Sequence, residues 1–257
     1  SLSVVLPLFL CSVCPFVMAV DLYYSAGSPS CTFVRVVVKV LGVELNLKKV
    51  NLMAKEHLQP EFVQLNPQHT VPTINDDGFV LWESRAIGSY LVDKHSPGHK
   101  LYPTDVQARA KVNSLLYFES GTFHAAQMNY FRPKWFRGQE PSEEVKTAFN
   151  KVLETAVALL GDKKFFTGDE VTLADIGFAT TLGVSIEAAP YPDLEKFPQL
   201  VEFYNRVKSA VPEYYGVAEE GISLIKRMAE HHKAGETGHC PKTGEKGECP
   251  QTCPKSS

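Results

Sequence analysis

An excess of charge of either sign is missing from this chain: 26 Lys and Arg stand against 29 Asp and Glu, a formal net charge of -3 over 257 residues. Without a basic surplus, neither an extended nucleic-acid surface nor a polybasic membrane patch is expected. Cysteine is scarce where the fold must be built. Of six cysteines, Cys11 and Cys14 lie near the start, Cys240, Cys249 and Cys253 near the end, and Cys31 stands alone between them. A body with a single thiol has no internal disulfide, the pattern of a reducing compartment. Long apolar runs are lacking too, with one exception, the uncharged stretch Ser1 to Val17. As a secretory signal it wants a basic leader, and as a membrane span it falls short of the ~20 apolar residues a bilayer requires. Residues 1–17 are therefore read as extraneous or targeting-like, with Met18 as the natural start. From His231 to Ser257 apolar periodicity is absent while Gly, Pro, Lys and Glu abound, so the tail, 229–257, reads as disordered. Its Cys240, Cys249 and Cys253 with His239 match no common zinc spacing, and no metal site is expected.

What is present begins with a short β-prone run, Asp21 to Tyr24, and a Gly/Ser/Pro turn, Ser25 to Ser30. The stretch Cys31 to Leu41 follows, with Phe33, Val34, Val37, Val38 and Leu41 at helical spacing. Glu44 to Val50 is a second strand and Glu61 to Leu65 a helical turn. Thr70 to Ile74 and Phe79 to Trp82 are strands joined by a hairpin signal, Asp77-Gly78. Ser84 to Lys94 closes the unit as a helix. The order βαβ, then ββ and α, predicts a mixed α/β domain over residues 18–100. Beyond Pro97 to Pro103 the character changes. Asp105 to His124, Ser142 to Leu160, Thr172 to Glu187 and Phe197 to Ala210 all carry i, i+3, i+4 apolar spacing, which predicts an all-helical domain over 104–228. Thr172 with Asp175 has the form of a capping box, and Val171 with Ile176 that of a hydrophobic staple.

Three stretches carry candidate chemistry. Tyr23-Tyr24-Ser25-Ala26-Gly27-Ser28-Pro29-Ser30-Cys31 puts hydroxyls where a strand meets a helix start, with Pro29 suited to the first helical position. Unpaired N–H groups and a partial positive field favour an anion there, and a thiolate is one such anion. Ser28 would donate to its sulfur; read on its own, it serves equally as the helix cap. Thr70-Val71-Pro72-Thr73 places a proline at a strand start. A cis Val71-Pro72 bond would turn the Val71 backbone groups outward to pair with an extended peptide, although Val-Pro alone is ordinarily trans. Trp82-Glu83-Ser84-Arg85 sets an acid, a hydroxyl and a base at the next helix start, partners for an amino-acid head group, or simply a cap (Ser84) with a surface ion pair.

With Glu56-His57-Leu58, Pro60-Glu61-Phe62, Asn66-Pro67-Gln68-His69, Trp82 to Ile87, Gly168-Asp169 and Thr172 to Ile176, these stretches resemble, in order from about Val20 to about Lys226, the arthropod delta-class glutathione transferases. The resemblance implies a thioredoxin-like N-terminal domain, an all-α C-terminal domain and a cytoplasmic homodimer. Such a homodimer would conjugate glutathione to hydrophobic electrophiles, with glutathione peroxidase as a side activity. Glutathione would be a co-substrate, with no permanently bound cofactor. Carried over by motif, Ser28 would hold the thiolate, His57 and His69 the glycine carboxylate, and Val71 with Pro72 the cysteinyl unit. Glu83, Ser84 and Arg85 would take the γ-glutamyl end, and Glu119 would reach the head group bound by a neighbouring subunit. His124, Tyr130, Phe131 and Tyr215 are the candidates for the electrophile pocket, near Ser28 and the helices from Ser114 to Arg137. The chain departs from the family order in that Pro29 directly follows Ser28. A glutathione-dependent thiol oxidoreductase using Cys31 and a non-catalytic carrier are the competing readings.

Overall fold

The computed structural model describes residues 19–233. The N-terminal apolar stretch, Met18 and the cysteine-bearing tail lie outside the described residues. The first unit runs β1 (Val20–Tyr24), α1 (Pro29–Leu41), β2 (Leu45–Lys49), α2 (Pro60–Leu65), β3 (Thr73–Asp76), β4 (Phe79–Trp82) and α3 (Ser84–His95). Its four strands lie in the order β2-β1-β3-β4, with β1 parallel to β2 and β3 antiparallel to both of its neighbours. This is the mixed α/β unit expected from the element order, and the thioredoxin-like domain that the resemblance implied. The hairpin turn has the predicted chemistry: Asp77 and Gly78 both take positive φ, 51° and 88°, and Asp76 pairs directly with Phe79. The third strand, however, starts at Thr73 rather than Thr70, so Val71 and Pro72 stand before its ladder.

Helix α1 is rich in β-branched valine, a poor helix former, yet it is buried nearly all round because it packs against α3 and against two helices of the second unit, α7 (Leu173–Gly183) and α9 (Glu213–Lys233). Its ends are fixed by chemistry. Ser28 caps the start, Pro29 occupies the first position, and Gly42 ends it at φ 66° with its N–H on the Lys39 carbonyl.

The second unit contains α4 (Val106–Phe118), α5 (His124–Arg137), α6 (Glu143–Leu160), α7 (Leu173–Gly183), α8 (Pro198–Ala210) and α9 (Glu213–Lys233). Two outcomes differ from the sequence reading. The helix expected to end at His124 passes through a π-turn, Glu119–Phe123, and runs on to Arg137, with Pro133 inside it. The last helix, not foreseen at all, carries ordered structure past residue 228 to Lys233, into the stretch read as disordered. The foreseen capping box is present: Asp175 accepts from the Thr172 N–H and hydroxyl, both at 2.8 Å, and from the Phe166 N–H at 2.8 Å. Helix α7 is buried along its whole length and forms the core against α1, α4 and α8. No described helix is long and apolar enough to cross a membrane.

Candidate active site

The sheet gathers most of the candidate residues at one end. On a single rung Tyr23 pairs with Thr73, and Thr73 with Trp82. The chain leaves that rung into the Ser28 loop, enters it from Val71-Pro72, and leaves it again into Glu83-Ser84. Lys49 pairs with Tyr24 beside it, and the Val50 N–H bonds the Tyr24 carbonyl at 2.8 Å before the chain turns toward His57. The four segments therefore meet at one edge.

Ser28 sits partly exposed in an extended conformation, φ -95° and ψ 117°. Its Oγ accepts from the Cys31 N–H at 3.3 Å, while its own N–H donates to the Ser25 carbonyl at 3.1 Å. The two readings of Ser28 are thus compatible. Capping uses an oxygen lone pair and leaves the hydroxyl hydrogen to donate, and within the chain the acceptor at hand is the Cys31 sulfur. Cys31 is fully buried, and burial pushes its thiol up to about 11 against the opposing hydrogen bonds of the Ser28 side chain and the Ser25 N–H. A thiol kept protonated and out of reach is a poor nucleophile, so the oxidoreductase reading loses the group it depends on.

Val71-Pro72 is cis. Its loop is organised by a residue to which the sequence reading gave no role, the fully buried Asn66, whose amide donates to Thr73 Oγ1 at 2.9 Å and to the Thr70 carbonyl at 3.2 Å. Thr73 Oγ1 in turn donates to that same carbonyl at 2.9 Å. An Asn followed by Pro67 was the available signal for such a loop. His69, exposed and at φ 46°, and the partly buried His57 bring their rings to 6.3 Å. The Nδ1 of His57 is buried with no partner.

At the third stretch the structure corrects several expectations. Glu83, not Ser84, is the N-cap of α3, at φ 68° and with no side-chain cap bond; Ser84 is the first helical residue. Arg85 turns inward rather than toward an open site. Its Nε donates to Glu119 Oε2 at 2.7 Å, its Nη2 meets the same oxygen, and its Nη1 donates to Ser84 Oγ at 3.0 Å. The guanidinium lies 4.4 Å from the Phe33 ring centre. Glu119 is 0% exposed, and its second oxygen accepts from Thr181 Oγ1. A carboxylate closed inside its own chain has no reach to a neighbouring subunit, so that assignment fails.

The pocket candidates divide as well. Tyr130 and Phe131, 4% and 3% exposed, are interior residues: Tyr130 packs on Phe149 and Tyr191, and Phe131 stacks on Trp135. Their helix is anchored by these rings, so they line no pocket. Tyr215 is 58% exposed beneath Lys208, and it is the neighbouring Tyr214, buried, that lies beside Ala26, Gly27 and Pro29. His124 remains, largely buried, with its Nδ1 unpartnered. Burial lowers its pKa, Glu119 opposes that, and Arg85 and Arg132 add to it.

The His124 shift has a sign that can be tested. A histidine neutral in the fold but protonated when unfolded costs stability as pH falls below its unfolded value of about 6.5, and costs nothing above it. His124→Gln is expected to flatten the loss of thermal stability between pH 7 and pH 5, with His95 supplying a residual slope of the same sign. A melting temperature running parallel to wild type across that range would refute the buried neutral His124.

Among the described residues no group of three or more His, Cys, Asp or Glu is arranged to hold a metal. Comparison with known proteins agrees with the architecture. Residues 18–93 match the family model described as glutathione S-transferase, N-terminal domain, and residues 118–210 the C-terminal domain of the same family. Among solved structures, a delta-class glutathione transferase of Nilaparvata lugens is 40% identical, covering 83% of this chain and 99% of that one at a TM-score of 0.78. A Bombyx mori glutathione transferase is 34% identical over 83% and 98%, TM-score 0.77, and an epsilon-class enzyme of the housefly Musca domestica 32% over 83% and 98%, TM-score 0.76.

Proposed function

The chain belongs to the glutathione S-transferase family, and on that premise we propose that Ser28 holds the glutathione thiolate for attack on hydrophobic electrophiles. The observation that carries this reading is the Ser28 hydroxyl itself. Its oxygen accepts the α1 cap bond, and its hydrogen, whose neighbour within the chain is the sulfur of the protonated Cys31, can turn to a bound thiolate at a helix start whose field favours an anion. A thiol of pKa about 8.5 is only a few per cent ionised at pH 7, so a donor that stabilises the anion raises the supply of nucleophile directly. The sulfur lone pair then bonds the electrophilic carbon. The leaving group departs with the bonding electrons, or an activated alkene takes them and then a proton.

The rest of the tripeptide has partners along the same edge. The glycine carboxylate would meet His57 and His69, whose ring centres lie 6.3 Å apart. The Val71 backbone, standing before the β3 ladder beside the cis Pro72, would pair with the cysteinyl unit in the manner of an added strand. Glu83 and Ser84 would take the γ-glutamyl amine and carboxylate. Arg85 acts through Ser84, which it holds, rather than on the ligand. Electrophiles would enter beside His124. A peroxidase side activity, a homodimer and a cytoplasmic location complete the reading.

His57→Ala and His69→Ala are each expected to raise KM for glutathione about tenfold or more, the loss of a charge-assisted hydrogen bond, while kcat at saturation changes little. Steady-state kinetics with an activated aryl chloride measure both. A fall in kcat with KM unchanged would remove the histidines from the carboxylate.

A further inference from the structure

Helix α9 lies against the back of the Ser28 loop. It packs on α1 and is tied there by Glu220, whose Oε2 accepts from Arg35 Nη1 at 3.0 Å while Oε1 lies 3.7 Å from Lys49 Nζ. The next residue is Gly221. A Cβ built on it would fall inside the van der Waals surface of the Ala26 carbonyl oxygen and stand 3.5 Å from Thr32 Oγ1. One turn further on, Leu224 closes over the same loop: a Cβ on Gly27 would stand 3.2 Å from its Cδ2. Thr32 Oγ1 donates to the Ser28 carbonyl at 3.2 Å, and Ala26 and Gly27 form the turn that the Ser28 N–H closes on the Ser25 carbonyl. The backbone of α9 at Gly221 therefore stands against the Ala26 carbonyl, two residues before Ser28, and beside the Thr32 hydroxyl that bonds the Ser28 carbonyl.

Glycine inside a helix is about 1 kcal/mol worse than alanine unless space demands it. At Gly216, in the same helix, no atom lies within 4 Å of the added Cβ; at Gly221 the obstacle is backbone and has nowhere to go. We propose that Gly221 is a positioning residue: its bare backbone lets α9 seat on the Ala26 carbonyl, so that the direction of the Ser28 hydroxyl is set by the last helix of the second domain. This rests on the reading that Ser28 holds the thiolate.

The test compares Gly221→Ala, Gly216→Ala and Ser28→Ala in the full chain, reading the ultraviolet thiolate absorbance of saturating glutathione against pH. Gly221→Ala is expected to raise the bound thiol pKa by about one unit, a loss of thiolate of about threefold to eightfold at pH 7 that is recovered at high pH. Its KM for glutathione should stay within about threefold of wild type, because the carboxylate partners are untouched. Gly216→Ala should match wild type in both. If Ser28→Ala raises the thiol pKa and Gly221→Ala does not, the role of Gly221 is refuted. If Ser28→Ala leaves the pKa unchanged, the Ser28 reading falls, and this one with it. Should Gly221→Ala fail to fold, Glu220→Gln loosens the same seat from the surface; a smaller rise in pKa supports the proposal and an unchanged value overturns it.

Discussion

Replacing Ser28 by alanine is expected to lower kcat/KM for conjugation at neutral pH by about tenfold to a hundredfold, the worth of one hydrogen bond to a charged sulfur. The acid limb of the pH profile should move upward by the same one to two units, so that activity partly returns at high pH. The substitution also removes the cap bond to Cys31, at a cost of about 1 kcal/mol in stability. Ser28→Asp separates the two effects. Aspartate caps a helix as well as serine, so stability should hold, but it brings no hydrogen and repels the thiolate. Its activity should fall below that of Ser28→Ala. An aspartate variant as active as wild type would mean that the hydroxyl only caps the helix.

The largest effect on stability is expected at the buried pair joining the two domains. Glu119→Ala leaves the Arg85 guanidinium among apolar neighbours with only Ser84 as a partner, at a cost of about 3–5 kcal/mol. For a chain of this size that corresponds to a fall in melting temperature on the order of 10 °C. Removing both charges is the informative control. Arg85→Leu with Glu119→Leu should recover most of the stability, since no lone charge remains buried. It should still raise KM for glutathione, because nothing then holds Ser84. A melting temperature within about 2 °C of wild type for Glu119→Ala would show that the pair is solvated in practice.

These two regions also mark what sequence can and cannot convey. Helix α1 was legible despite its valines because Phe33, Val34, Val37, Val38 and Leu41 keep helical spacing and its start is written locally, in Ser28 and Pro29. The Asp77-Gly78 hairpin and the Thr172 and Asp175 box were legible for the same reason: the groups that satisfy each other are three residues apart or fewer. The partner of Arg85 is 34 positions away on another helix, and the π-turn presenting it leaves no local signature. Aromatic identity gave the wrong sense for Tyr130 and Phe131, because α5 is covered where they lie and a ring there serves the core. Helix α9 went unread although Tyr214, Val217, Ala218 and Ile225 lie at helical spacing, because Gly216 and the buried Gly221 stand inside it where a poor helix former argues against a helix. Smallness there is what its seat on the Ser28 loop requires.

The site as proposed ionises the thiol of glutathione. The direct measurement is the absorbance of bound glutathione thiolate on the wild-type chain, titrated from pH 5 to pH 10 at saturating glutathione. A bound thiol pKa one to two units below the free value is the predicted result. A pKa equal to that of free glutathione, with the tripeptide demonstrably bound, would contradict the account and leave a protein that carries glutathione without activating it.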